Sequence, residues 1–142
     1  MYLLDNEMMT LLLGYDPHRR HEVWRYVTDA FVHTGFPHLW SNMLLQMILG
    51  VLLEIVHHWK RISVIYFASV VGGSLFMTVL SPREYVVGAS AGVYGLLFSH
   101  LSNIILNWNE MDWKRCRLFW LVLYILFNFT LELSITDLNV SV

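Results

Sequence analysis

The chain has 142 residues, 56% of them hydrophobic and 14% charged, against roughly 45 to 50% and about 25% in an ordinary soluble domain. That apolar excess points to a bilayer. A membrane-spanning helix uses about 20 residues, so the length holds about four spans with loops and excludes a large transporter. Nine Lys and Arg against eleven Asp and Glu, a net charge of -2, leave no broad basic surface and argue against nucleic acid as a partner. The single cysteine, Cys116, closes no internal disulfide and belongs to no zinc or redox motif.

The first residues, MYLLDNEMMTLLLGYDP, open with acidic side chains and a short apolar patch, a poor signal peptide and too short to span. Residues 1–35 therefore read as an N-terminal segment and a membrane-associated first loop. From Phe36 to Val56 the chain is apolar and is closed by His57, His58, Trp59, Lys60 and Arg61, which predicts a first span with cationic caps. Residues 62–80 carry no charge and predict the second span. Ser81-Pro82-Arg83-Glu84 breaks it. A third apolar segment begins near Gly88 and runs to Trp108, and a fourth covers 118–135, with Glu132 near its far end.

The predicted fold is all-α, a polytopic transmembrane helical bundle of about four spans over 36–135, followed by a C-terminal stub at 136–142. Lys60 and Arg61 follow the first span, and Lys114, Arg115 and Arg117 precede the fourth, so both loops are expected on the cytoplasmic side. Arg83 falls on the other side with Arg19, Arg20 and Arg25, so the count is five against four.

Gly88-Ala-Ser90-Ala-Gly92 fits G-x-S-x-G, a pattern that exposes a serine hydroxyl at a tight turn into a helix. Its flanks are membrane spans, not the strands of a soluble hydrolase. The plainer reading is small-residue packing between helices. His38 and Asn42 share one face of the first span at i, i+4, and polar groups in lipid must be satisfied within the bundle. They either fasten two helices or line a wet cavity. Because the first and third spans begin on the same side, Ser90, His38 and Asn42 can converge at one depth.

Other polar residues read as structural. Glu54 is expected to pair with Lys60, Arg61 or a loop. Asn128-Phe-Thr130 and Asn139-Val-Ser141 fit a glycosylation pattern, one within a predicted span and one at the end of the chain. The seven Met and six Trp suit packing and interfacial anchoring.

Glu22-Val-Trp24-Arg25-Tyr, Phe31-Val-His33-Thr-Gly-Phe-Pro-His38-Leu-Trp-Ser-Asn42 and Val87-Gly-Ala-Ser90-Ala-Gly-Val-Tyr94, in this order and spacing, resemble the rhomboid intramembrane serine proteases from about Tyr15 to the fourth span. The resemblance implies a six-helix core, of which these residues supply the second to fifth helices. It implies Ser90 as the nucleophile, Asn42 and His38 as oxyanion ligands, and a structural role for Trp24 and Arg25 in the first loop. Gly88 and Gly92 belong to the serine motif. The substrates it implies are single-span membrane proteins cut in or near the span, in a multi-pass protein of the eukaryotic secretory pathway or plasma membrane. No metal or organic cofactor is implied.

The base that the resemblance implies is a histidine on the sixth family helix. No histidine here fills that position. His100 lies ten residues beyond Ser90 on the same helix, about 15 Å along its axis, and His57 and His58 sit at the opposite membrane face. His18 and His21 lie in the first loop, where His33 serves as loop support. These residues taken alone are therefore expected to show little or no proteolysis. The rival reading is a non-catalytic pseudoprotease that binds membrane clients, and a purely structural bundle ranks last.

Overall fold

A computed structural model describes residues 2–33, 35–83 and 85–126, and is helical with one isolated β-bridge among them. Two compact units, Met1–Ser99 and His100–Val142, are taken in turn. The first contains α1 (Tyr2–Leu13), a short α2 (Arg25–Thr28) continued by a 3-10 turn (Asp29–Phe31), α3 (Phe36–His57), α4 (Trp59–Leu80) and most of α5 (Ser90–Leu106).

α3 starts where Gly35 takes φ 89°, with Pro37 in the first turn, a position that suits the fixed φ and missing N–H of proline. Its 22 residues extend about 33 Å, the thickness of a bilayer core. One residue, His58 at φ 69°, separates it from α4. The His58 amide donates to the Glu54 carbonyl at 3.0 Å and its carbonyl accepts from Arg61 at 3.2 Å, so the hairpin closes without a loop. Trp59, Lys60 and Arg61, expected to cap the first span, instead form the first turn of α4. Glu54 also departs from expectation: among the described residues it makes no ion pair, and Lys60 lies over the Trp59 ring, 5.7 Å from its centroid.

α3 and α4 are each long and apolar enough to cross a membrane, while α5 is apolar but only 17 residues long. Phe36, Trp40, Met47, Val51 and Ile55 on α3 are all more than half exposed, a surface that water would penalise and lipid would not. The interior is narrow. Leu53, Ile62 and Leu96 form the buried cluster, with Leu49 and Tyr66 packed on it. α4 and α5 approach closely through small residues: a Cβ on Gly73 would stand 2.5 Å from that of Ala91.

The N-terminal residues also form a helix, α1, at 12 residues too short to span. After it, Tyr15 pairs with Val86 in the β-bridge (3.0 and 3.4 Å), tying the first loop to the segment before α5.

In the second unit, residues 114–126 are helical, and Lys114 lies over Trp108 at 5.4 Å. Of the fourth predicted span only 118–126 is described. Asn128, Thr130, Glu132, Asn139 and the 136–142 stub lie outside the described residues. Among the described residues two helices qualify as candidate spans, where about four spans were expected of the whole chain.

Candidate functional site

The segment that leads into α5 is held by its own amides. Gly88 takes φ 115°, a conformation that glycine, lacking a β-carbon, adopts at little cost and other residues do not. Its N–H donates to the Asp29 carbonyl at 2.9 Å. The next N–H, of Ala89, donates to His33 Nε2 at 3.4 Å. Ser90 follows as the first residue of α5 and is half-buried. As an N-terminal helical residue its amide has no partner one turn back, and the helix dipole there favours negative charge.

His38, in the first turn of α3, reaches this segment. A Cβ on Gly88 would lie 2.8 Å from the His38 ring carbon Cε1 and 3.3 Å from Nε2. The His33 ring meets it edge-on with centroids 5.2 Å apart. Burial, and secondarily the neighbouring His38, hold His33 below the usual histidine range, so it is neutral and can accept the Ala89 amide.

Asn42 is 6% exposed, and its Nδ2 donates to the His38 backbone carbonyl at 2.9 Å. The i, i+4 spacing therefore appears as a bond within α3. A carboxamide has two N–H groups, so one is left for another acceptor. Asn42, His33 and Ala89 line a cavity of about 520 Å³ that continues past Gln46 and Tyr66. Ser90 and His38 are not among its walls; Ser90 stands one residue beyond Ala89. Gly92 faces α4, where any side chain would collide with the Tyr66 ring. The serine motif thus combines both sequence readings, close helix packing and a tight turn before Ser90.

The first loop is built around Arg25, only 3% exposed, whose Nε donates to Glu22 Oε2 at 2.6 Å and Nη1 to the Gly14 carbonyl at 2.7 Å. Thr28 adds a bond to the Leu13 carbonyl at 2.7 Å. Trp24 remains half exposed. His57 and His58 lie at the other end of α3 from His38, about 29 Å along its axis, and exposed His18 has its Nδ1 3.4 Å from Asp16 Oδ1.

Sequence reasoning passed over Asp29. It is 1% exposed, accepts the Ser74 hydroxyl, and links the 3-10 turn, α4 and the Gly88 amide. Burial pushes its carboxyl up to about 6, with the Ser74 hydroxyl and the Ala30 amide pulling the other way. The signal available was an acid four residues before His33 in an otherwise apolar stretch. Among the described residues no three His, Cys, Asp or Glu side chains converge on a metal position.

The rhomboid-domain family model matches residues 20–142. Rhomboid-related protein 1 of Caenorhabditis elegans is 41% identical over 115 residues, covering 81% of this chain and 32% of that protein. Human rhomboid-related protein 3 is 48% identical over 99 residues, 70% of this chain and 24% of that protein. A C. elegans protein named inactive rhomboid-related protein 2 is 36% identical over 110 residues, 78% of this chain and 31% of that protein. The chain thus spans about a quarter to a third of the length of these relatives.

Proposed function

Because the chain belongs to the rhomboid family, whose members are embedded in membranes, we propose that it is the core of an intramembrane serine endopeptidase acting on single-span membrane proteins. The observation that carries this reading is the His38 ring set against Gly88, two residues before Ser90, with Asn42 one turn along α3.

On this reading Ser90 Oγ attacks a peptide carbonyl, and its proton passes to a histidine base, which the family resemblance places on the last family helix. The oxyanion forms at the N-terminus of α5. The Ser90 amide, the second N–H of Asn42 and a His38 N–H donate to it, each worth about 10²- to 10³-fold in rate. A helical substrate hides its carbonyls in hydrogen bonds, so it must unwind locally before attack, and hydrolysis needs water below the membrane surface. The polar Asn42 and Gln46 in the cavity wall suit that requirement. The four-span bundle, the cytoplasmic placement of Lys60 and Lys114, and a secretory-pathway or plasma-membrane location belong to the same proposal.

A second reading, a pseudoprotease that binds clients without cutting them, is favoured by the similarity to a relative named inactive. Full-length protein reconstituted with a single-span substrate separates the two. Cleavage lost in Ser90→Ala supports the protease. Substrate retained uncut by wild type and Ser90→Ala alike supports the binder.

A further inference from the structure

Two consecutive amides precede Ser90, and both are taken by one five-residue stretch: Gly88 N–H by the Asp29 carbonyl and Ala89 N–H by the His33 ring. One acceptor is backbone and survives any substitution. The other is a side chain. We propose that His33 is a positioning residue, whose Nε2 accepts the Ala89 amide and so fixes the turn that presents Ser90 at the start of α5. This rests on the reading of Ser90 as the nucleophile.

Three observations support it. The ring is a nitrogen acceptor aimed at a backbone donor one residue from the nucleophile. An imidazolium has two donors and no acceptor, and burial keeps His33 in the neutral form that can accept. The ring is also braced: His38 meets it edge-on, and His38 itself rests on Gly88. His33, His38 and the Gly88–Ala89 backbone are thus in mutual contact, so loosening His33 loosens the turn before Ser90. Misplacing a reacting group by about 1 Å costs about 10²-fold in rate, which makes a single hydrogen bond at this place consequential.

The experiment compares wild type, His33→Ala, His33→Gln and His33→Asn in the full-length protein in lipid vesicles, with Ser90→Ala as the blank. Glutamine places an amide oxygen near the position of Nε2; asparagine, one carbon shorter, does not reach it. The readouts are kcat and KM for a single-span substrate, and hydrogen exchange of the peptide that contains Gly88 and Ala89.

Loss of about 10²-fold in kcat at unchanged KM is expected for His33→Ala. His33→Gln should recover most of that loss and His33→Asn little. Exchange at Gly88–Ala89 should quicken in Ala and Asn and return to wild type in Gln. Wild-type kcat in His33→Ala, or Gln no better than Ala in a protein of unchanged melting temperature, overturns the proposal. If wild type shows no Ser90-dependent turnover, the protease reading fails. Exchange then decides the positioning role: quickening in Ala reversed by Gln upholds it, and equal exchange in all four proteins refutes it.

Discussion

The His38 imidazole lies against the α-carbon of Gly88, so closely that a β-carbon there would stand 2.8 Å from the ring. Gly88→Ala is therefore doubly unfavourable, through the 115° φ and through displacement of His38. We expect it to cost about 1–3 kcal/mol of stability and to lower Ser90-dependent cleavage. Adding His38→Ala to Gly88→Ala relieves the steric part alone. Thermal unfolding of the single and double variants measures this, and a Gly88→Ala protein as stable as wild type contradicts the contact.

Asn42 separates fastening from chemistry. Its Nδ2 is bonded within α3 and, among the described residues, not to another helix, so Asn42→Ala is expected to leave the melting temperature within a few degrees of wild type. Cleavage should fall about 10²- to 10³-fold, as for loss of one oxyanion donor. Unfolding of Asn42→Ala with intact specific activity in the folded fraction would assign it to packing.

Arg25 is a structural cation. Removing it leaves the Glu22 carboxylate and the Gly14 carbonyl without their partner, and a broken buried pair costs about 3–5 kcal/mol. Glu22 is only partly buried, so Arg25→Ala should fall near the lower bound. Arg25→Lys should recover little, because an ammonium cannot fork between the two acceptors. Melting temperatures in detergent check both.

Asp29 and His33 give stability opposite pH slopes. The Asp29 carboxyl is raised from 3.8 to about 6, so the folded state holds its proton more tightly. Stability from this group is highest below about pH 4 and is lost as pH rises to about 6. At about 1.4 kcal/mol per pH unit, the loss at neutral pH is up to about 3 kcal/mol. His33 is held below 6.5, and its contribution is lost as pH falls below that value. Asp29→Asn keeps an acceptor for Ser74 and is expected to raise the melting temperature at neutral pH, with a gain that shrinks toward about pH 4. A pH-independent difference between Asp29→Asn and wild type contradicts the assignment.

The two long helices were legible because runs such as 62–80 carry no charge, and a bilayer-length apolar segment has few alternatives. The first turn of α4 was not. Trp59-Lys60-Arg61 reads equally as cap or helix, and the single left-handed residue His58 decided it. Ser90, His38 and Asn42 were visible as a resemblance, and the contact of His38 with Gly88 and the bond within α3 could then be sought. Asp29, His33 and the Tyr15–Val86 bridge were less accessible. Their roles come from pairings across 45 to 71 residues of sequence, which no local pattern encodes.

An activated Ser90 hydroxyl reacts with a fluorophosphonate, and labelling is the sharpest check on its role as nucleophile. In the full-length protein in lipid vesicles a single adduct is expected, located on Ser90 by peptide mass spectrometry, lost in Ser90→Ala and slowed in Asn42→Ala. A folded full-length protein that leaves Ser90 unmodified, or that labels equally well after Ser90→Ala, would contradict it.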